Sequence, residues 1–296
     1  MTMAPMVPGM LASPCVGICR LDDATGWCLG CAHDTNELGQ WRDLSPVEQA
    51  RIWADLPRRK AILGLAFRLR PCSGAVLLKE LVRLAREPET RWSIGVYGAV
   101  AEFATRNGAI PQIEVGEESL VLRTSGGAMR LCPPPGTRMF ELVGASEKVE
   151  RLVLALHRSR LTGTPAIGVT ELGADKDAIE PMHMNERLFD LGVSHSAIRF
   201  CVRTGESSLI AALRQASGLD PLDPAIGLVA ALLASSPDRV VISSIGRIEV
   251  SGPIQRSSNE GPHTHLLPEF LARRRELEPG FALPECYSAG ISIFPM

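Results

Sequence analysis

Residues 13–34 read Ser-Pro-Cys-Val-Gly-Ile-Cys-Arg-Leu-Asp-Asp-Ala-Thr-Gly-Trp-Cys-Leu-Gly-Cys-Ala-His-Asp, the most informative stretch of the chain. Four of the eight cysteines, Cys15, Cys19, Cys28 and Cys31, fall within it, while Cys72, Cys132, Cys201 and Cys286 stand singly over the remainder. Two closely spaced pairs let four thiolates converge on one ion or cluster, and Gly17, Gly26 and Gly30 permit the tight turns this requires. His33, two residues beyond Cys31, offers an imidazole that can replace one cysteine as a ligand. A secreted disulfide framework distributes its pairs across the fold, whereas a reducing compartment favours thiolate chemistry. Two other readings compete. Trp27-Cys28-Leu29-Gly30-Cys31 has the spacing of a thioredoxin redox motif, but that motif needs a preceding strand and a helix starting at its first cysteine, and these flanks are turn-rich. The other treats the four cysteines as small hydrophobes in an ordinary loop. The density of the pairs favours a metal or iron–sulfur site. Zinc knuckles and iron–sulfur proteins both use such spacings, so the cofactor stays open between an iron–sulfur cluster and zinc.

Outward from the cysteines the pattern turns helical. Asp34-Thr35-Asn36-Glu37 and Ser45-Pro46-Val47-Glu48 are capping-box sequences, the second strengthened by proline at the first helical position. They predict a short helix through Trp41 and a second one with a stripe of Val47, Ala50, Ala54 and the Ile52–Trp53–Leu56 group, stopped at Pro57. So small a unit buries little surface, and a bound metal would supply much of its folding energy. The run SPCVGICRLDDATGWCLGC with HDTNELGQW and LSPVEQARIWADLP resembles a short bacterial family, domain of unknown function 1289, described as predicted iron–sulfur proteins. The resemblance covers about residues 12–60, implies cluster or metal ligation by Cys15, Cys19, Cys28 and Cys31, and tilts the expected cofactor to an iron–sulfur cluster ahead of zinc.

Charge marks a junction behind this unit. Residues 14–50 carry a net charge of −4, residues 51–91 of +6 and the rest of −4, against −2 for the whole chain. The basic stretch, with Arg58-Arg59-Lys60, Arg68 and Arg70 among apolar residues, reads as a solvated linker helix in preference to a nucleic-acid or membrane contact. The expected organisation is a four-cysteine helical unit at 12–60, a basic linker at 61–73 and one larger domain at 74–296.

That larger part reads as α+β. A helix is expected at Leu77–Leu84, a strand at Ile94–Phe103, and short strands at 112–115, 119–123 and 128–131 between glycine and proline punctuation. Glu150–His157 leans to a strand, with further strands at 166–171 and 197–203 and helices at 207–216 and 224–234. Residues 239–243 and 247–250 form a hairpin around Ser244-Ile245-Gly246. Strands in runs with irregularly placed helices favour α+β over a doubly wound sheet. The segments RVVISSIGRIEV and GPHTHLLPEFL, with the final strand, resemble an uncharacterised bacterial family over about residues 90–296, a resemblance that implies no catalytic assignment.

Chemistry is sparse there. His263 and His265, two apart on an extended segment, point the same way, and Glu269 can complete a two-histidine, one-carboxylate metal set. The spacing is similar to that of cupins, without their closing glycine and with Pro268–Leu277 reading as a helix. Glu171, Asp175, Asp177 and Glu180 beside His183 lack the full calcium-loop pattern and read as a solvated acidic loop. Neither a dinucleotide fingerprint, a P-loop nor a G-x-S-x-G elbow is present. The four single cysteines read as buried small hydrophobes.

The 296 residues, 45% hydrophobic and only 5% aromatic, can bury a core without staples and offer little for base stacking. A pI of about 6.3 argues against a dedicated nucleic-acid binder. With no long apolar run and no basic residue among the first 13, the expectation is a cytoplasmic protein without a membrane span. Two functions fit. One is a non-enzymatic metal, redox or sensing module fused to a domain that binds a protein partner or small ligand. The other is a metal-dependent enzyme working through His263, His265 and Glu269. The four cysteines favour the first.

Overall fold

The computed structural model describes residues 11, 13–15, 21–29, 31–104, 111–144, 148–161, 166–194, 197–254, 264–266, 268–278 and 281–295. Near the start lie α1 (Thr35–Gln40) and α2 (Pro46–Ile62), each opened by its capping box: Asp34 with Glu37, and Ser45 with Glu48. Ile52 and Leu56 of the expected stripe are buried, joined on that face of α2 by Gln49 and Lys60, whereas Val47, 79% exposed, Ala50 and Ala54 face solvent. Nor does Pro57 stop this helix, which continues to Ile62. An interior proline costs about 3 kcal/mol, and the residues just beyond it supply offsetting contacts. Arg58 and Arg59 pair with Asp55, Arg59 also grips Glu37, and Lys60 is buried.

Among the described residues the rest is mostly antiparallel β-structure with helices interspersed. The first sheet contains β1 (Phe67–Leu69), β2 (Arg91–Val96), β3 (Ala99–Ala104), β7 (Arg138–Val143), β8 (Val149–His157), β14 (Thr264–Leu266) and β15 (Tyr287–Phe294), ordered β1-β7-β8-β15-β2-β3-β14. The second contains β4 (Gln112–Val115), β5 (Leu120–Thr124), β6 (Gly127–Leu131), β9 (Thr170–Ala174), β10 (Arg187–Asp190), β11 (Arg199–Thr204), β12 (Asp238–Ile242) and β13 (Gly246–Val250), ordered β4-β5-β6-β13-β12-β11-β10-β9. Alternation sets the faces. Trp92, Ile94 and Val96 of β2 point one way and meet Val241, Ile248 and Val250 of the second sheet in one shared core. The helix α3 (Gly74–Arg86) adds Leu77, Leu81 and Leu84, while α4 (Ser207–Gln215) adds Leu209 and Leu213 and α5 (Leu228–Ser235) adds Leu228 and Leu232.

Two sequence expectations change here. Ile94–Phe103 is a hairpin, β2 to β3, because Gly98 at φ 100° lets the chain reverse where a side-chain-bearing residue would be strained. The last helix, α6, spans only Pro268–Leu271. The strand at 149–157 and the hairpin across Ser244-Ile245-Gly246 form as expected. No helix among the described residues is long and apolar enough to cross a membrane.

At the end of β10 the backbone N–H of Gly192 donates to Asp190 Oδ1 at 2.9 Å. Gly192 sits at φ 66°, and a Cβ there would meet the Gly168 backbone at 2.4 Å, so glycine is required. Burial raises the Asp190 carboxyl above its ordinary value, the Gly192 bond and Arg199 notwithstanding. A carboxylate raised on folding penalises the native state once the unfolded chain ionises, above about pH 3.9. Asp190→Asn keeps the acceptor and removes that penalty. Its melting temperature at pH 7 is expected to exceed wild type by one or two degrees, with the gap closing as the pH falls below 4. A variant less stable at pH 7 would show that the Arg199 attraction dominates.

Candidate metal centre

The cysteine segment is built from turns. Asp22 Oδ2 accepts from the backbone N–H of Thr25 at 2.9 Å and from its hydroxyl at 2.7 Å, and Gly26, at φ 70°, completes the reversal. These bonds hold the Asp22 carboxyl below the usual carboxylate range. A single antiparallel bridge then joins Leu21 to Cys28. The next turn closes with Ala32 N–H donating to Cys28 O at 2.7 Å and Cys28 N–H donating to His33 O at 2.8 Å. Ala32 takes the left-handed conformation, φ 62°, although it carries a Cβ and is fully buried. That strained turn brings the His33 backbone N–H onto the Cys31 sulfur.

Cys15 and Cys28 are the neighbours that raise the Cys31 thiol, but the three sulfurs do not all lie within 4.8 Å of one another. Cys28 and Cys31 are buried and Cys15 is half-buried. The Cys15 bond, burial and neighbouring Cys28 push the Cys31 thiol far up, and only the His33 N–H favours its thiolate. Cys19 lies outside the described residues.

His33 is fully buried, packed edge-on against Trp41 at 5.4 Å, and neither ring nitrogen has a hydrogen-bond partner among the described residues. Burial drives its pKa down to about 4, so the ring is neutral at physiological pH. Around it Ala32, Trp41, Ile52 and Leu56 make a small core. Gln49 ties that core to the preceding chain, donating to Trp41 O at 2.9 Å and accepting from Leu11 N–H at 3.0 Å. Arg59 clasps the turn, with Nη1 donating to Ala32 O at 3.3 Å and its two Nη atoms meeting Glu37 at 2.7 and 2.9 Å.

The site also touches the first sheet. Trp53 packs with Phe67, Phe140 and Tyr287 on one side and with Trp41 and Ile52 on the other. Burial raises the Cys286 thiol and the Tyr287 hydroxyl, and both groups feel the charge of Cys15. Lys60 is 1% exposed, with Nζ 5.3 Å from the centroid of the Phe67 ring. Burial lowers its pKa to about 8, while Cys31 and Cys28 favour its charged form. Sequence reading placed Lys60 on a solvated linker helix. The missed signal was its spacing, four residues beyond Leu56 and eight beyond Ile52 on one helical face.

The donor set fits a thiophilic metal. A thiolate ligand must be deprotonated, and a bound ion would reverse the upward shift of the Cys31 thiol. The buried imidazole, neutral and unpartnered, is chemically able to join them.

The other expected site cannot be assembled in the same way. His263 lies outside the described residues; His265 is placed on β14 opposite Val100 of β3, and Glu269 in α6, by backbone alone. The acidic loop, by contrast, is corrected: Asp175 is 2% exposed and pairs with Arg203 and Arg247. His183 Nδ1 lies 3.1 Å from Glu186 and 4.0 Å from Asp238, a grouping the sequence did not suggest. Arg203 already engages both carboxylates, at 3.4 and 2.8 Å, so this cluster is the outer end of an ion network. Of the single cysteines, Cys72 and Cys201 are buried as expected, whereas Cys132 is exposed and Cys286 half-buried.

Residues 13–60 match the family model of a protein of unknown function, DUF1289, as the cysteine-rich resemblance implied. Residues 77–296 match a family of unknown function, DUF6925. No curated protein and no solved structure matches the chain. With about three quarters of its length under one family model, the chain belongs to the DUF6925 family of unknown function, here preceded by a DUF1289 segment.

Proposed function

We propose that residues 12–60 form a metal-binding unit whose ligands are Cys15, Cys19, Cys28 and Cys31, joined through the basic segment 61–73, which contributes β1, to a partner- or ligand-binding domain at 74–296. The observation that carries this reading is a buried Cys31 thiol with Cys15 and Cys28 as its influencing neighbours, beside a fully buried His33 whose ring nitrogens have no partner among the described residues. Unmetallated thiols gain little from such crowding, whereas convergence of this kind is what a thiolate-bound metal requires.

An iron–sulfur cluster and a zinc ion both suit four thiolates. Two thiolate sulfurs on one tetrahedral metal stand about 3.8 Å apart at a metal–sulfur distance of about 2.3 Å, whether that metal is a zinc ion or one iron of a two-iron cluster, so the neighbourhood of Cys31 with Cys15 and Cys28 suits both. A zinc ion would organise the fold; a single iron would add one-electron redox chemistry.

Anaerobic purification followed by iron, sulfide and zinc analysis is the test. The expected result is a bound metal, either iron with acid-labile sulfide or one zinc ion per chain. Iron and sulfide in equal amounts above one per chain would establish a cluster, and the absence of all three would overturn the metal-binding reading.

A further inference from the structure

We propose that Lys60 is the buried counter-charge of the thiolate centre, an inference that rests on the metal-binding reading above. An ammonium taken out of water is stable only if paired. Yet Lys60, 1% exposed, forms no ion pair with a carboxylate among the described residues. Glu141 contributes at longer range, but its carboxylate is engaged by Arg70 at 3.4 Å. Arg68 opposes the charge, and the Phe67 ring at 5.3 Å supplies a cation–π contact from one side. Lys60 continues the buried face of α2 formed by Ile52 and Leu56, which share one cluster with Ala32, the residue after Cys31, and the remaining attractive groups are Cys31 and Cys28.

As neutral thiols these two cysteines leave the ammonium uncompensated. As ligands they change its surroundings. Four thiolates around one divalent ion carry a net charge of −2, and Lys60 reduces it to −1. The cation therefore stabilises the loaded centre. Its place between α2 and Phe67 of β1 also puts this charge balance at the seam between the cysteine segment and the first sheet.

The proposal is testable in the full chain. Lys60→Met keeps the length of the side chain and removes its charge; Lys60→Gln is a second neutral variant should the first fold poorly. Apo protein prepared under reducing conditions is titrated with Zn²⁺ and with Co²⁺ against a chelator. Both variants are expected to bind either ion at least tenfold more weakly than wild type. The Co²⁺–thiolate charge-transfer band should keep its tetrahedral form, showing the ligands intact. Unchanged affinity would reduce Lys60 to a packing residue and leave the metal centre standing. If wild type binds neither ion, the metal-binding reading falls, and this inference with it.

Discussion

The Cys28→Ser, Cys31→Ser double variant is expected to lose its metal and, with it, the order of the described residues between Leu11 and about Leu56. The reason lies in how little else holds that segment. Its own core consists of Ala32, Trp41, Ile52 and Leu56, with partial help from Leu11, Leu44, Trp53 and Leu63. Each large apolar side chain contributes about 2 kcal/mol on burial, against about 1–2 kcal/mol of backbone entropy for every residue ordered. The capping boxes and the Arg59 clasp contribute about 1 kcal/mol apiece. A structural metal typically supplies about 10–16 kcal/mol, enough to decide whether such a segment folds. Limited proteolysis is therefore expected to cut the variant rapidly ahead of β1, with the two sheets spared. Metal-free wild type should show the same pattern. Equal protection of variant and loaded wild type would mean that packing alone suffices and that the thiols are incidental.

Arg203→Met is expected to destabilise the β-structure by about 3–5 kcal/mol, the usual cost of leaving buried charges without their partner. The Arg203 side chain is 1% exposed and reaches Glu249 at 2.7 Å, Asp238 at 2.8 Å, Asp175 at 3.1 Å and Glu186 at 3.4 Å. Burial opposes its charge, yet Glu249 and Asp238 hold the guanidinium above its ordinary value. Arg247 is the second cation of the network, on Glu249 at 2.6 Å and on Asp175. Without Arg203, that single guanidinium faces four carboxylates, two of them fully buried. Arg203→Lys should recover only part of the loss, because one ammonium cannot reach carboxylates spread around a planar fork. Equilibrium unfolding in urea at pH 7 measures both. A loss below about 1 kcal/mol in Arg203→Met would show that the network behaves like a screened surface cluster.

These two variants mark the limits of what could be read in advance. The cysteine spacing, both capping boxes and most strands are local patterns, set by chain geometry within a few residues, and they were legible. The hairpin at Gly98 was not, because small residues within an apolar run look alike whether the strand continues or turns. Pro57 misled for a related reason: its local cost is real, but Arg59 and Lys60 act through partners outside the helix's own sequence. Asp175 looked solvated because its partners, Arg203 and Arg247, lie far along the chain on strands of the second sheet.

The sequence by itself determined that four cysteines would be clustered near the start of this protein and that an α+β domain would follow, since both depend on close spacing and on residue periodicity. Tertiary structure alone decided that a lysine from a basic run would be buried beside those thiols, and that an acidic loop would surrender its aspartate to two buried arginines. Both outcomes are electrostatic. The stability of a buried charge depends on what the rest of the fold brings within a few ångströms of it, and no local pattern encodes that distance.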